Sequence, residues 1–375
     1  MKVQEVRLED NKKRYMLLNE DGFPIIPAMK YLKYIDTTGK SYNTQKTYCY
    51  ALKNYFEYLN DIGKEFNEIT ISDLSNFVAW LKNPYKSLAV SSLYKVKPVR
   101  TAKTINLTIT AVMNLYDYLF RIEEIENNIS DVLTKNIFLK GPRQYKGFLH
   151  HINKDNPVNK NILKVKISKT KLKVLTKDEV IKVYKATTNI RDRFLIKLLF
   201  ETGLRIGEAL SLFVEDFVYD NTNSNGHKIK LVDRGELENG AKLKTGERDI
   251  FISKGLMDLF DDYEYEVLDE LDIDTNFVFV KLKGENKGKP MDYDDVSALF
   301  KKLKSKTGLN VYPHLFRHTS LTAFYQSTKD IKATQERAGH AQLQTTMNLY
   351  VHPSDEDIRD NWDLAQATFQ DILCD

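Results

Sequence analysis

Apolar positions recur at helical spacing along most of the chain and at strand spacing in a few places. Residues 1 to about 22 alternate weakly, in VRL and RYMLL, and reach Asn19-Glu20-Asp21-Gly22, residue types that favour a turn, so a small hairpin is expected. Helical phase begins at Pro27 with AMKYLKYID. In the next run Tyr48, Leu52, Phe56 and Leu59 fall at i, i+4, i+8 and i+11, the stripe of a surface helix. Ser72 is placed to cap a third helix through Leu74, Phe77, Val78 and Leu81. Thr101 opens a fourth, with Ile105, Ile109, Val112, Tyr116 and Leu119 in phase. Residues 141–173 have no helical phase and many Lys, Asn and Gly, the signature of a linker.

Thr176-Lys177-Asp178-Glu179 is a capping box and starts a second region. Helices are expected through Tyr184, from Arg191 to Glu201 (nearly all apolar, hence buried) and from Arg205 to Phe213. Three strand-like runs follow, HKIKLVD, ERDIFIS and NFVFVK, with the turn Lys244-Thr245-Gly246-Glu247 between the first two. Further helices are expected over Leu256–Leu271, Asp292–Lys304, His314–Tyr325, Leu343–Tyr350 and Asp355–Leu373. The fold class is therefore mainly α with a small antiparallel β-sheet. Its expected organisation is an N-terminal appendage (1–24), a helical domain (25–140), a basic linker (141–173), a second domain (174–352) and an acidic terminal helix (353–375).

A length of 375 residues fits two domains better than one. There is no run of 18 apolar residues and no secretory signal pattern, which predicts a cytoplasmic protein with no membrane partner. Cys49 and Cys374 are far apart, match no metal spacing and read as reduced thiols. A net charge of +4 conceals an uneven distribution. Lys82, Lys86, Lys95, Lys97, Arg100 and Lys103 stand between Leu81 and Thr110 without an acid. Lys135–Lys173 holds eleven Lys and Arg, among them Arg143, Lys146, Lys164, Lys166, Lys169 and Lys171, against Asp155 alone. Two such blocks predict contact with a polyanion, DNA first among them, although a solvated lysine-rich surface has the same composition.

Within this frame a few residues could carry chemistry. Arg205 follows the Thr202-Gly203 break after a buried helix and has Glu208 at i+3 as a partner. That is either a structural ion pair or a guanidinium oriented to grip an oxyanion. His314 and Arg317 share a helix face. His314 with His318 lacks the acid and third ligand of a zinc helix, so no metal site is expected and His318 reads as a core histidine. Tyr350, one of 21 tyrosines, is set apart by its spacing from His340 and by Thr345-Thr346 before it. Together these residues suit attack on a DNA phosphodiester. Two fixed arginines would stabilise charge on the phosphate, Tyr350 would be the nucleophile and Lys244 could protonate the leaving oxygen. No acidic cluster is evident for two metal ions, and no cofactor is expected.

GLRIGEAL (203–210), KTGER (244–248), HLFRHT (314–319), AGH (338–340) and TTMNLY (345–350) resemble, in order, the boxes of the tyrosine recombinases or phage integrases, of the mobile-element type. The helical segments NTQKTYCYALKNYFEYL and KTINLTITAVMNLYDYL resemble that family's SAM-like core-binding domain. The resemblance implies that Arg205 and Arg317 bind the scissile phosphate with His314, and that Lys244 protonates the 5′-oxygen. It implies that His340 assists proton transfer, that Glu208 stands behind Arg205 and that Tyr350 becomes a 3′-phosphotyrosine. Lys242, two residues before Lys244, is the alternative lysine. The resemblance further implies double-stranded DNA sites as substrate, a homotetramer with a Holliday junction, accessory proteins and a bacterial, nucleoid-associated setting. A non-catalytic DNA-binding protein of the same fold and a nicking–closing topoisomerase are the competing expectations.

Overall fold

The computed structural model describes residues 1–7, 13–84, 98–126, 134–137, 158–161, 163–167, 173–220, 226–271 and 275–350, with backbone alone at 134–137, 158–161 and 348–350. The chain divides into two compact units, Met1–Lys169 and Thr170–Asp375.

In the first unit β1 (Lys2–Arg7) pairs antiparallel with β2 (Lys13–Leu18), and the alternation sends Tyr15 and Leu17 into the core. The Asn19–Gly22 turn follows this hairpin, with the Asn19 side chain accepting from the Phe23 N–H at 2.8 Å. It leads into α1 (Ile26–Thr37). α2 (Tyr42–Ile62) buries Leu52, Tyr55, Phe56 and Leu59, as its stripe predicts, while Tyr48 is only partly covered. α3 (Ile71–Lys82) begins one residue before the expected cap, Ser72. The Thr70 hydroxyl accepts from the Asp73 N–H and the Asp73 carboxylate accepts from the Thr70 N–H, so two orphan donors are satisfied reciprocally and Ser72 falls inside the first turn. α4 (Ala102–Arg121) is capped by Thr101 and buries all five of its in-phase residues.

Two features modify the expected linker. β3 (Thr134–Ile137) and β4 (Val158–Asn161) pair antiparallel, satisfying backbone groups that the polar sequence gave no reason to pair. The described segment 163–167 lies on the unit's surface. There the Asn106 amide donates to the Val165 carbonyl (2.9 Å) and accepts from the Val165 N–H (2.8 Å).

In the second unit the Thr176–Glu179 capping box starts α5 (Lys177–Lys185). α6 (Ile190–Thr202) is buried through Phe194, Leu195, Ile196, Leu198 and Leu199. α7 (Ile206–Leu210) is shorter than expected and gives way to a 3-10 turn, Val214–Asp216, whose Asp216 carboxylate takes the Phe213 N–H. The sheet runs β5 (Phe217–Val218), β6 (Lys228–Leu231), β7 (Arg248–Phe251), all antiparallel. NFVFVK is not one of its strands and makes only isolated bridges, Phe213 to Phe277 and Val280 to Pro290. Val278, Phe279 and Val280 are buried one after another, so the apolar run reflects burial on every side and not a period of two. Nor is Lys244–Glu247 a tight hairpin turn, since it ends the long connection 232–247 between β6 and β7.

α8 (Lys254–Tyr263) continues through a π-helical turn at Glu264–Leu268, and α9 (Tyr293–Thr307) and α10 (Pro313–Thr328) follow. Then comes α11 (Ile331–Ala338), which the hydrophobic pattern did not announce because it buries only Thr334 and Ala338. Its boundaries are nonetheless written in the sequence. The Asp330 carboxylate accepts from Lys332 and Ala333, and Gly339 closes the helix in the left-handed conformation. α12 (Leu343–Tyr350) completes the described chain. α6 packs against both α8 and α10, and around it the unit's apolar core forms.

Candidate active site

Three helix ends meet where the predicted residues gather. α6 ends at Thr202 with Gly203 as its C-cap, α11 ends at Ala338, and α7 starts at Ile206 with Arg205 as its N-cap. Arg317, projecting from α10, is 2% exposed. It donates through Nη1 to the Gly203 carbonyl (2.7 Å) and through Nη2 to the Ala338 carbonyl (2.6 Å). Carbonyls at helix C-termini lack intrahelical donors and carry the negative end of the helix dipole, which is why a cation is stable there. Arg205 Nη1 reaches the same Ala338 oxygen at 3.3 Å, and Nη2 approaches Gly339 O at 3.4 Å. One carbonyl thus holds two guanidiniums side by side.

Glu208, fully buried, accepts from the Arg205 N–H (3.0 Å) and from Arg205 Nη1 (2.8 Å). Burial pushes its carboxyl up, but Arg248, the Arg205 N–H and the Arg205 charge together bring it below the ordinary carboxylate value. Arg248 and Thr245 complete this group and were not singled out by sequence. Arg248 Nη2 lies 3.0 Å from Glu208 Oε2, and the Thr245 hydroxyl lies 3.0 Å from Glu208 Oε1. The available signal was the KTGER string itself, whose arginine falls on the first residue of β7 and so cannot leave the sheet.

His340 follows the left-handed Gly339. Its Nε2 lies 3.2 Å from Arg317 Nη2 and its Nδ1 lies 2.9 Å from Thr346 Oγ1. Arginine can only donate, so Nε2 accepts and the ring proton sits on Nδ1, directed at Thr346. Burial lowers His340 to about 4, with Arg317 and Arg205 adding to the effect, so the ring is neutral at pH 7. His318 is likewise lowered to about 4, by burial and then by His314 and Arg317. His318 is half-buried, not enclosed in the core, and its ring meets that of His314 edge-on at 4.9 Å. His314 is also lowered, by partial burial and then by Arg317, Arg205 and Lys244. Because His314 keeps exposed surface, the three cations are the firmer cause. Both Lys242 and Lys244 are exposed, on alternate positions with buried Ala241 and Leu243, but only Lys244 bears on His314.

Tyr350 is the last residue of α12, and its side chain lies outside the described residues. Thr346, four residues earlier on that helix, is fully buried and ties α12 to His340. Among the described residues, Arg205, Arg248 and Arg317 carry three positive charges against the single negative charge of Glu208, and the difference is +2 before Lys244 is added. Among the described residues no three His, Cys, Asp or Glu side chains stand close enough to hold a metal ion, and no helix is long and apolar enough to cross a membrane.

The sequence profile of the phage integrase family matches residues 173–357, and that of the phage integrase N-terminal SAM-like domain matches residues 29–123. Transposase A from transposon Tn554 of Staphylococcus aureus is 39% identical over 366 residues, covering 96% of this chain and 97% of the relative. The chain belongs to the phage integrase family. As such it is a tyrosine recombinase, an enzyme of DNA strand exchange. The tyrosine recombinase XerA of Pyrococcus horikoshii is 29% identical over 93% of this chain and 95% of its own length. The fold is shared with the Tn1549 transposon integrase in complex with circular intermediate DNA (TM-score 0.57, 20% identity, 90% of this chain and 98% of that one).

For this integrase, the structure brings Arg205, Glu208, His314, Arg317 and His340 together, with the Lys244 charge acting on His314. The basic residues of the first unit are placed differently. Lys82, Lys164 and Lys166 are exposed and line one groove of about 500 Å³ together with Ser75, Val78 and Ala79. Lys103 is exposed on the first turn of α4. Arg100 turns inward, donating to the Leu81 carbonyl (3.2 Å) and the Asn54 side chain (2.7 Å) and lying over the Trp80 ring. Lys86, Lys95, Lys97, Arg143, Lys146, Lys169, Lys171 and the acidic terminal helix lie outside the described residues.

Proposed function

We propose that this integrase cuts and rejoins double-stranded DNA at specific sites through a 3′-phosphotyrosine on Tyr350, for integration and excision of a mobile element. The observation that carries the reading is the excess of positive charge, held by backbone carbonyls and a single shared carboxylate. Arg317 is fixed by Gly203 O and Ala338 O, which orient it without neutralising it, and Arg205, which also reaches Ala338 O and Gly339 O, shares the one carboxylate of Glu208 with Arg248. A dianionic pentacoordinate phosphorane is an occupant of the matching charge, and donors fixed in advance need no reorganisation as it forms.

In this reading the Tyr350 oxygen attacks phosphorus, the bond from phosphorus to the 5′-oxygen breaks, and Lys244 gives that oxygen its proton. Arg205, Arg317 and His314 bind the non-bridging oxygens. His340, neutral and held by Thr346, takes part in moving the phenol proton. The phosphotyrosine keeps the energy of the original diester, so a 5′-hydroxyl rejoins the strand by the reverse path without ATP or a metal ion. The Tn554 transposase supports the mobile-element assignment. A homotetramer exchanging strands through a Holliday junction, accessory proteins and a cytoplasmic, nucleoid-associated setting belong to the same proposal. Lys82, Lys103, Lys164 and Lys166 are its DNA-backbone contacts in the first unit.

The test is to incubate the protein, in EDTA, with supercoiled plasmid carrying the flanks of its own gene and to denature with SDS. Protein covalently joined to a DNA 3′ end is expected for the wild type and absent for Tyr350→Phe. Tight binding without an adduct would favour a binding protein, and an adduct surviving in Tyr350→Phe would displace Tyr350 as nucleophile.

A further inference from the structure

Glu208 lies between two guanidiniums, and only one of them, Arg205, has been given a role at the phosphate. The other, Arg248, donates through Nη2 to Glu208 Oε2 at 3.0 Å and through Nη1 to Thr245 Oγ1 at 3.0 Å, with Oε1 at 3.5 Å. The Thr245 hydroxyl donates to Glu208 Oε1 at 3.0 Å and accepts from Arg205 Nη1 at 3.2 Å. Both arginines and the carboxylate therefore converge on one hydroxyl, and the residue before it in the chain is Lys244. Gly339 closes the group from the other side. A Cβ there would stand 2.7 Å from Thr245 Oγ1 and 2.8 Å from Arg248 Nη1, in a backbone conformation (φ +59°) that already favours glycine.

This arrangement has two physical effects. Facing Arg205 alone, Glu208 would neutralise it, whereas shared with Arg248 it leaves one positive charge in excess (two guanidiniums, one carboxylate). The exposed Lys244 side chain also starts from a backbone pinned on one side, which removes freedom that would otherwise have to be lost when it engages a leaving oxygen.

We infer that Arg248 is a positioning residue for strand cleavage, holding the Thr245 hydroxyl and through it the Lys244 loop against Arg205, so that the acid reaches the 5′-oxygen. The inference rests on the reading of Lys244 as that acid. Its test uses the full chain and a duplex spanning the cleavage point mapped by the adduct assay, in two forms. One has the ordinary 5′-oxygen, and the other has sulfur as the bridging 5′ atom. A thiol is far more acidic than an alcohol, so a thiolate leaves without a proton donor.

Arg248→Gln and Thr245→Val are expected to slow cleavage of the ordinary duplex about 10- to 100-fold, the size of a small misplacement at a reacting centre. On the sulfur duplex both should return close to the wild-type rate, as Lys244→Ala should. Melting and DNA binding are followed on the same samples. Thr245→Val preserves shape and leaves the Arg248–Glu208 pair intact, so it decides the matter if Arg248→Gln fails to fold. Ordinary cleavage at the wild-type rate by both variants overturns the inference. So does slow cleavage of the sulfur duplex by both while Lys244→Ala recovers. If Lys244→Ala itself does not recover, Lys244 is not the acid, and the reading and the inference fall together.

Discussion

The two units bury polar groups in opposite ways. Among the described residues of the first unit no charged side chain is buried, and its enclosed polarity is largely neutral. Tyr116 donates to the Phe66 carbonyl and receives the Tyr55 hydroxyl, Tyr58 donates to the Asp73 carbonyl, and burial raises Tyr58 to about 12. The second unit buries Asp192, Glu208, Asp216 and Arg317. Asp192 and Asp216 each have an arginine partner, Arg191 and Arg234; Asp192 also accepts from the Asn189 side-chain amide, and Asp216 from the Phe213 N–H. Glu208 and Arg317 differ from these, because they belong to a group whose cations outnumber its anions. Burial of charge is costly and by itself marks nothing. Burial of charge left unbalanced is what a stable fold has no use for, and this is where an anionic ligand is to be sought.

The largest effect should come from removing the lone anion. Glu208→Leu leaves Arg205 and Arg248 facing each other without a counter-charge, and denaturant unfolding of the second unit should lose about 3–5 kcal/mol. A loss no larger than that of a first-unit hydroxyl would erase the contrast between the units. Next in size, Arg317→Lys keeps the charge but cannot span the Gly203 and Ala338 carbonyls together. Single-turnover cleavage should fall about 10²- to 10³-fold while plasmid binding changes little. Thr346→Val leaves the His340 Nδ1–H without its acceptor and should lower cleavage about tenfold, with Thr346→Ser restoring most of it. Tyr55→Phe, the control in the neutral unit, should lower stability by about 1 kcal/mol and leave the chemistry unchanged.

A separate effect concerns pH. His318 and His340 titrate near 4 in the fold, below their ordinary value, so the unfolded chain binds more protons in between. Stability they contribute is complete above about pH 6.5 and is lost as pH falls from there towards 4. His340→Asn should flatten that acid-side loss in the second unit's melting curve, and an unchanged slope would remove His340 from the account.

Much of this was legible in the chain. Helical stripes gave α2 and α4 their buried faces, and the Thr176–Glu179 box gave α5 its first residue. What sequence hid was of two kinds. A run buried at every position, such as Phe277–Val280 within NFVFVK, carries no periodicity, so burial on all sides looked like a strand. And α11 matters for where it stops, because Ala338 O orders both arginines, a role that belongs to the backbone and has no side-chain signature. Arg248 was in plain view within KTGER but could be valued only once Glu208 was seen to be shared. The resemblance of the boxes brought the residues together in order, and the carbonyls explain why Gly203 and Gly339 stand beside them.

The β1–β2 hairpin bears on modularity. It precedes the region matched by the family's N-terminal profile, yet its own Tyr15 and Leu17 are buried in the first unit's core. A shortened protein starting at the profile boundary would lose part of its own interior and expose the face of α2 that the hairpin covers. What looks from sequence like a detachable leader is a wall of the first unit, and trimming it should yield an aggregating protein in place of a minimal recombinase.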